Sequence, residues 1–245
     1  AKTFRTLRYK LPCEVKKQKM QKPNLLCLHG ALGCAAQMAS ALKPLENFYN
    51  LHFLDFPGHG ERANEALNMQ NCVAATREFI LKNNLAGSTI LGYSMGGYVA
   101  LLLAKSSPEL VGQIITLGTK LAWNPHDAAK EIAKLNPEII EQKVPQYAQA
   151  LQKLHGDAWK GVLEKTAILM SDLGANPALT DDVFQSIQHP VLLCLASEDA
   201  MVTREETVQA ARMLPNGEFA EIFNSKHPLE KLDVNTFQAI IKHYV

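Results

Sequence analysis

The stretch Gly92-Tyr93-Ser94-Met95-Gly96-Gly97 carries the side chain best placed for chemistry. It lies between an apolar run, Ser88-Thr89-Ile90-Leu91, and a helical run from Tyr98 to Lys105. A buried strand that turns into a helix within a few residues forces its middle residue into a cramped backbone conformation. Glycines two positions before and after Ser94 remove the Cβ atoms that would collide across such a turn, and Gly97 lets the helix lie close to the sheet. Ser94 is then held at the tip, beside unpaired helix N–H groups and a positive dipole end that favour a developing oxyanion. The chemistry this permits is nucleophilic attack on an acyl carbon. The same pentapeptide also occurs in ordinary turns with a surface serine, so its weight comes from the order strand, turn, helix around it.

The elements that must position Ser94 read as an alternating α/β chain. Thr3 to Lys10 and Glu14 to Lys19 read as an opening antiparallel pair. Asn24-Leu25-Leu26-Cys27-Leu28 is continuously apolar, as a strand buried on both faces should be. A helix from Ala36 to Glu46, a strand from Leu51 to Asp55 and a Gly/Pro-rich loop, Phe56-Pro57-Gly58-His59-Gly60-Glu61-Arg62, follow it. Asn68 can cap the next helix, whose apolar residues Cys72, Val73, Thr76, Phe79 and Ile80 share a face. After the Ser94 turn comes a strand from Val111 to Leu117, ended by Gly118. Strict alternation implies right-handed crossovers and a mostly parallel sheet, whose ligands bind at the strands' C-terminal ends.

The alternation stops between Thr119 and His189, where only helical runs occur: Pro125 to Leu135, Pro137 to Leu154, Asp157 to Leu173 and Thr180 to Ile187, with breaks expected at Asn136-Pro137, Gly156 and Gly174. Strand, helix, strand and helix then resume with Val191 to Ala196, Thr203 to Met213, Glu218 to Phe223 and Leu229 to Tyr244. This divides the chain into a first core part, 1–118, a helical lid, 119–188, and a second core part, 189–245.

The Gly-x-Ser-x-Gly turn in this setting resembles the nucleophile elbow of the α/β-hydrolase family. The resemblance implies an α/β-hydrolase fold, a mostly parallel twisted sheet flanked by helices, and a triad in the chain order Ser, acid, His. The loop Ser197-Glu198-Asp199-Ala200-Met201-Val202 resembles the family's acid loop, with Asp199 at the usual position and Glu198 as a rival. Some relatives take the acid from the end of the strand after the elbow, but here that segment reads Gly118-Thr119-Lys120, without a carboxylate. Asn224-Ser225-Lys226-His227-Pro228-Leu229-Glu230 resembles the family's histidine loop, which makes His227 the base. The resemblance further assigns the oxyanion hole to the backbone N–H groups of Ala31 and Met95, and loop scaffolding to His29 and His59. His52, His126, His155, His189 and His243 receive no role. Ser94 at the nucleophile position excludes the Asp-nucleophile branches.

The expected activity is hydrolysis of a carboxylic ester, or a related thioester or lactone, through an acyl-enzyme and without metal or organic cofactor. Leu32, Trp123, Tyr147, Trp159, Met170 and Met201 are candidates to bound a pocket for an apolar or aromatic acyl group of modest size. Bulky apolar side chains of this kind also serve simply as core. Two other readings use the same residues: a cofactor-free carbon–carbon lyase or synthase of the menaquinone-pathway type, for which Arg62 and Lys120 are the nearby basic candidates, and a ligand-binding module of hydrolase ancestry.

Composition sets the outer bounds. With 245 residues and 47% apolar content the chain can bury a sizeable core. Lys plus Arg, 25, nearly balances Asp plus Glu, 24, so nothing in the charge calls for nucleic acid or an anionic membrane. The basic cluster from Lys16 to Lys22 reads as a solvated hairpin. Cys13, Cys27, Cys34, Cys72 and Cys194 lack Cys-x-x-Cys spacing and read as reduced, inert thiols. No His-Glu-x-x-His, cysteine cluster or Gly-x-Gly-x-x-Gly is present. No apolar stretch approaches a membrane span, and the expectation is a cytoplasmic protein acting on a small-molecule acyl substrate.

Overall fold

The computed structural model describes residues 22–244. The expected opening strand pair, Cys13 and most of the Lys16–Lys22 cluster lie outside them. Among the described residues six parallel strands form one sheet: β1 (Asn24–Leu28), β2 (Asn50–Leu54), β3 (Ser88–Tyr93), β4 (Val111–Leu117), β5 (Val191–Ala196) and β6 (Gly217–Ile222), in the spatial order β2-β1-β3-β4-β5-β6. The order reverses at β1, which pairs with β2 on one side and β3 on the other, with Cys27 opposite both Phe53 and Leu91. At such a reversal the connections diverge to opposite faces of the sheet and leave a crevice beyond the strand ends.

The period of two along each strand divides the apolar side chains between two layers. Leu26, Leu28, Ile90, Ile114, Val191 and Leu193 face a core shared with α2 (Met69–Lys82), α3 (Met95–Ser106) and α9 (Arg204–Met213). Leu25, Cys27, Leu91, Ile115, Leu192 and Cys194 face the other, with Met38 and Leu42 of α1 (Ala35–Leu42) and Phe237 and Ile241 of α10 (Val234–Tyr244). Every residue of β5 is buried, which is why that strand reads as an unbroken apolar run.

Between β4 and β5 lie five helices and no strand: α4 (Pro125–Ile132), α5 (Pro137–Lys143), α6 (Pro145–His155), α7 (Trp159–Ala175) and α8 (Asp181–Ser186). Asn68, Asn124 and Asn136 cap α2, α4 and α5 through their side-chain oxygens. Several boundaries differ from the sequence reading. The run expected as one helix from Pro137 to Leu154 breaks at Val144, because Pro145 offers no N–H and pushes the residue before it out of the helical region; Val144 sits at φ −136°, ψ 57°. Gly174 is not a break. It lies inside α7 at a contact so close that an added Cβ would meet Ala128 Cβ of α4 at 2.5 Å. The first helix ends at Leu42 and continues as a 3₁₀ segment around Pro44. The closing run also splits, into a 3₁₀ turn, Leu229–Lys231, and α10, with Asp233 accepting from the N–H groups of Asn235 and Thr236.

The helical insert is tied to the elbow helix. Tyr98 of α3 is buried, and its hydroxyl accepts the N–H groups of Ala178 and Leu179 at 3.0 Å each. Among the described residues no helix is long and apolar enough to cross a membrane.

Candidate active site

Ser94 stands between β3 and α3 at φ 50°, ψ −116°, a conformation that a residue with a side chain adopts only when its surroundings impose it. Three hydrogen bonds impose it here. Ser94 N–H donates to Leu117 O at 2.8 Å, and Ser94 O accepts from Thr119 Oγ1 at 2.9 Å and from Gly97 N–H at 3.0 Å. The flanking glycines are steric requirements: a Cβ on Gly92 would strike the backbone of Gly96 and Gly97, and one on Gly96 would strike the carbonyls of Leu28 and His29.

Asp199 follows β5 and His227 follows β6, so loops from different strands converge at the C-terminal edge of the sheet. Asp199 Oδ2 lies 2.7 Å from His227 Nδ1, while its Oδ1 accepts the N–H groups of Met201 and Val202 at 2.8 and 2.9 Å. The carboxylate is almost wholly buried and the imidazole is 18% exposed. With Nδ1 committed to the carboxylate as donor, Nε2 is the nitrogen left bare to accept a proton. Among the described residues no hydrogen bond runs from Ser94 Oγ to His227. The elbow nevertheless adjoins the pair: Leu117, the acceptor of Ser94 N–H, precedes Gly118, and a Cβ on Gly118 would lie 3.2 Å from Asp199 Oδ2 and 3.3 Å from His227 Nδ1. Glu198, the rival acid, points outward at 54% exposure, with its carboxylate 3.7 Å from Lys226 Nζ. The acid and histidine loops are also joined directly, Glu198 N–H donating to Ser225 O at 2.9 Å. Tyr93, next to the serine, donates its hydroxyl to His227 O at 2.9 Å.

Ala31 and Met95 line the same cleft as Ser94, and neither of their N–H groups has an acceptor among the described residues. The loop that carries Ala31 is braced by three buried histidines. His29 Nε2 accepts from Phe56 N–H at 3.0 Å and its Nδ1 donates to Gly30 O at 2.8 Å. His59 Nε2 accepts from Leu32 N–H at 3.1 Å. His155, at the end of α6, accepts from Gly60 N–H through Nδ1 and donates to Leu32 O through Nε2, both at 3.0 Å. The rings succeed one another at 5.2 and 5.9 Å between centroids. Each has one nitrogen accepting, so all three are neutral, and burial lowers their pKa values: His29 to about 4, His59 well below the ordinary range, His155 below it. His155 received no role from the sequence, since its partners lie 95 and 123 residues away.

The wall of the cleft is apolar and methionine-rich, with Met69, Met95, Met170 and Met201 joined by Tyr98, Trp123, Leu169 and Leu173. Of the side chains expected to bound it, Trp123, Met170 and Met201 are among its wall residues, and Leu32, Tyr147 and Trp159 are not. Trp159 is buried inside the insert with Ile140, Ala148, Leu151 and Leu163, and Leu32 packs against that cluster. Tyr147 is exposed on α6. Position in an apolar helical run cannot tell these fates apart, because the burying partner lies on another helix. Lys120 lines the cleft, but its Nζ sits 2.9 Å from Asp127 and 3.3 Å from Glu206. Arg62 is committed to Glu65 at 2.6 Å. The free volume at the cleft's centre is only about 30 Å³, room for about one or two waters. Cys27, Cys34, Cys72 and Cys194 are buried and unpaired, and burial pushes the Cys72 and Cys194 thiols up to about 12. Among the described residues no group of three or more His, Cys, Asp or Glu side chains is arranged to hold a metal ion.

Comparison with known proteins agrees with this architecture. Over 130 residues the chain is 30% identical to pimeloyl-[acyl-carrier protein] methyl ester esterase of Yersinia enterocolitica, a match covering 53% of this chain and 48% of that enzyme. The Vibrio campbellii enzyme of the same name is 28% identical over 99 residues, 40% of this chain and 38% of that one. The chain therefore matches about half or less of these curated relatives' length. Among solved structures, NosK from Streptomyces actuosus superimposes with a TM-score of 0.77 at 18% identity, covering 91% of this chain and 97% of that one. A thermophilic esterase from Thermogutta terrifontis gives 0.73 at 16% identity, covering 91% and 89%. The profile of the alpha/beta hydrolase family matches residues 25–231, from the first core strand to the turn after the histidine loop, and the chain belongs to that family.

Proposed function

We propose that this protein is a serine esterase using Ser94 as nucleophile, His227 as base and Asp199 as the group that orients the base. The observation that carries the reading is the 2.7 Å hydrogen bond between Asp199 and His227 Nδ1 at the strand ends that also present Ser94. It selects the imidazole tautomer whose Nε2 can take a proton. In this mechanism His227 takes the Ser94 proton as Oγ attacks the acyl carbon, and the imidazolium formed is stabilised by Asp199. The N–H groups of Ala31 and Met95 hold the oxyanion. His227 then protonates the leaving alcohol and activates the water that cleaves the acyl-enzyme. No step requires a cofactor. Catalytic serine–histidine hydrogen bonds are often long or poorly aligned before substrate binds and tighten in the Michaelis complex.

The relatives named for methyl ester esterase activity support an ester as substrate. The helical insert serves as the lid of the cleft, since α7 supplies Met170 to its wall while α6 reaches the oxyanion loop through His155. An acyl chain enters as methionine side chains swing aside, which their unbranched, flexible stems permit. The lyase reading is weakened by Lys120 and Arg62, because both cations that could hold a substrate carboxylate are already paired. The test is hydrolysis of para-nitrophenyl esters of graded acyl length together with labelling by a fluorophosphonate. Wild type should turn over short esters and label, and Ser94→Ala should do neither, with kcat reduced by about 10⁶. Equal labelling of the two proteins would refute the assignment of the nucleophile.

A further inference from the structure

Thr166, on the face of α7 that lines the cleft, is fully buried, and its hydroxyl has no hydrogen-bond partner among the described residues. A buried threonine inside a helix ordinarily bonds the carbonyl four residues back. Thr76 does so to Cys72 O at 2.8 Å and Thr207 to Thr203 O at 3.0 Å. Thr166 does not, so its hydroxyl is not spent on its own helix. Leaving a buried polar group unmatched destabilises the fold, which makes it informative at a site where valine would fit the same space.

The surroundings define what could match it. Met69, Leu169, Met170 and Leu173 on the same wall offer no strong hydrogen bond, and the Tyr98 hydroxyl has both lone pairs taken by backbone N–H groups, so it cannot accept the Thr166 proton. Lys120 is neutralised by two carboxylates, so a charged group entering here would be buried without a counter-ion.

We infer that Thr166 is a specificity determinant that hydrogen-bonds a neutral oxygen, such as a ketone, ether or second ester, carried within the acyl chain of the substrate. The inference rests on the ester reading above. Unsubstituted acyl chains leave the hydroxyl unmatched, and acyl chains bearing a carboxylate meet no free cation.

The experiment compares para-nitrophenyl pentanoate with para-nitrophenyl levulinate, the ester of the same length with a ketone in the chain, on wild type, Thr166→Val and Thr166→Ser. The ratio of kcat/KM for the keto ester to the plain ester should fall about fivefold in Thr166→Val, the worth of about one neutral hydrogen bond, and should be retained in Thr166→Ser. Thr166→Val should also raise Tm, because it removes an unmatched buried hydroxyl without opening a cavity. An unchanged ratio in Thr166→Val would overturn the subsite while leaving the esterase intact, and so would a lowered Tm with equal ratios, which would mean the hydroxyl is satisfied by its own helix or by a trapped water. Failure to hydrolyse either ester would overturn the esterase reading and the subsite with it.

Discussion

Single side chains in this site act through what holds them. Asp199 has both oxygens committed, one to two backbone N–H groups and one to the imidazole, so it aims the proposed base. Asp199→Asn should keep the fold yet present a donor where Nδ1–H needs an acceptor, and kcat in ester hydrolysis should fall by about 10⁴. Gly118, at φ 58°, makes room for the pair. Gly118→Ala should place a methyl group within about 3 Å of both side chains and impose left-handed strain of about 1 kcal/mol, so Tm and kcat should drop together. A Gly118→Ala protein with wild-type kcat would show that the pair tolerates displacement. Glycine at a strand end was legible in the sequence, but only as a terminator. Its second task became visible once β5 and β6 brought Asp199 and His227 against it.

Between elements, the decisive joint is the one from α6 of the insert to the loop after β1. Leu32 has its N–H held by His59 and its C=O held by His155, and this residue follows the proposed oxyanion donor Ala31. His155→Leu removes the partners of Leu32 O and Gly60 N–H, each of which costs about 1–3 kcal/mol if left buried and unpaired. If the Ala31 loop holds the oxyanion as proposed, loosening it weakens transition-state binding more than substrate binding, so kcat should fall at least about tenfold with KM nearly constant. His155→Gln, which can restore a donor toward Leu32 O, should recover part of the loss. If KM rose and kcat held, α6 would serve substrate binding and not the oxyanion loop. The helical character of α6 was legible in the sequence only as part of a longer run from Pro137 to Leu154, and the partners of its His155 belong to loops far back along the chain.

For the molecule as a whole, the histidine series ties stability to pH. His29, His59 and His155 are held neutral by burial, with folded pKa values below the ordinary 6.5. The unfolded chain therefore binds protons first as pH falls. The contribution of these groups is fully present above about pH 6.5 and is lost progressively toward the folded value of about 4 for His29. Asp55, the nearby carboxylate, opposes the shift in His29 and His155 without cancelling it. Tm measured from pH 8 to pH 4 should stay level and then fall below about 6.5, and His29→Asn, less stable at neutral pH, should show a shallower fall. A wild-type Tm independent of pH across that window would contradict neutral, buried imidazoles. The buried thiols give a second global test. Cys27, Cys34, Cys72 and Cys194 should resist iodoacetamide in the native protein and react after unfolding, and fast native labelling at any of them would show that the core opens locally.

The order of strands and helices and the serine turn could be read in advance, because they depend on local patterns, apolar period, glycine spacing and the sequence of turns, while the acid and histidine loops were read from their resemblance to those of the family. Six parallel strands and the positions of Ser94, Asp199 and His227 at one edge of the sheet follow from that order. Which apolar side chains bound the cleft did not. Trp159 and Met170 lie on the same helix, yet one is packed inside the insert and the other faces Ser94. Likewise Lys120 reads as a free cation until Asp127 and Glu206 close around it. Burial and pairing are properties of distances between elements, set when α4, α6 and α7 pack over the sheet, and one-dimensional periodicity says which face of a helix is apolar without saying what that face meets.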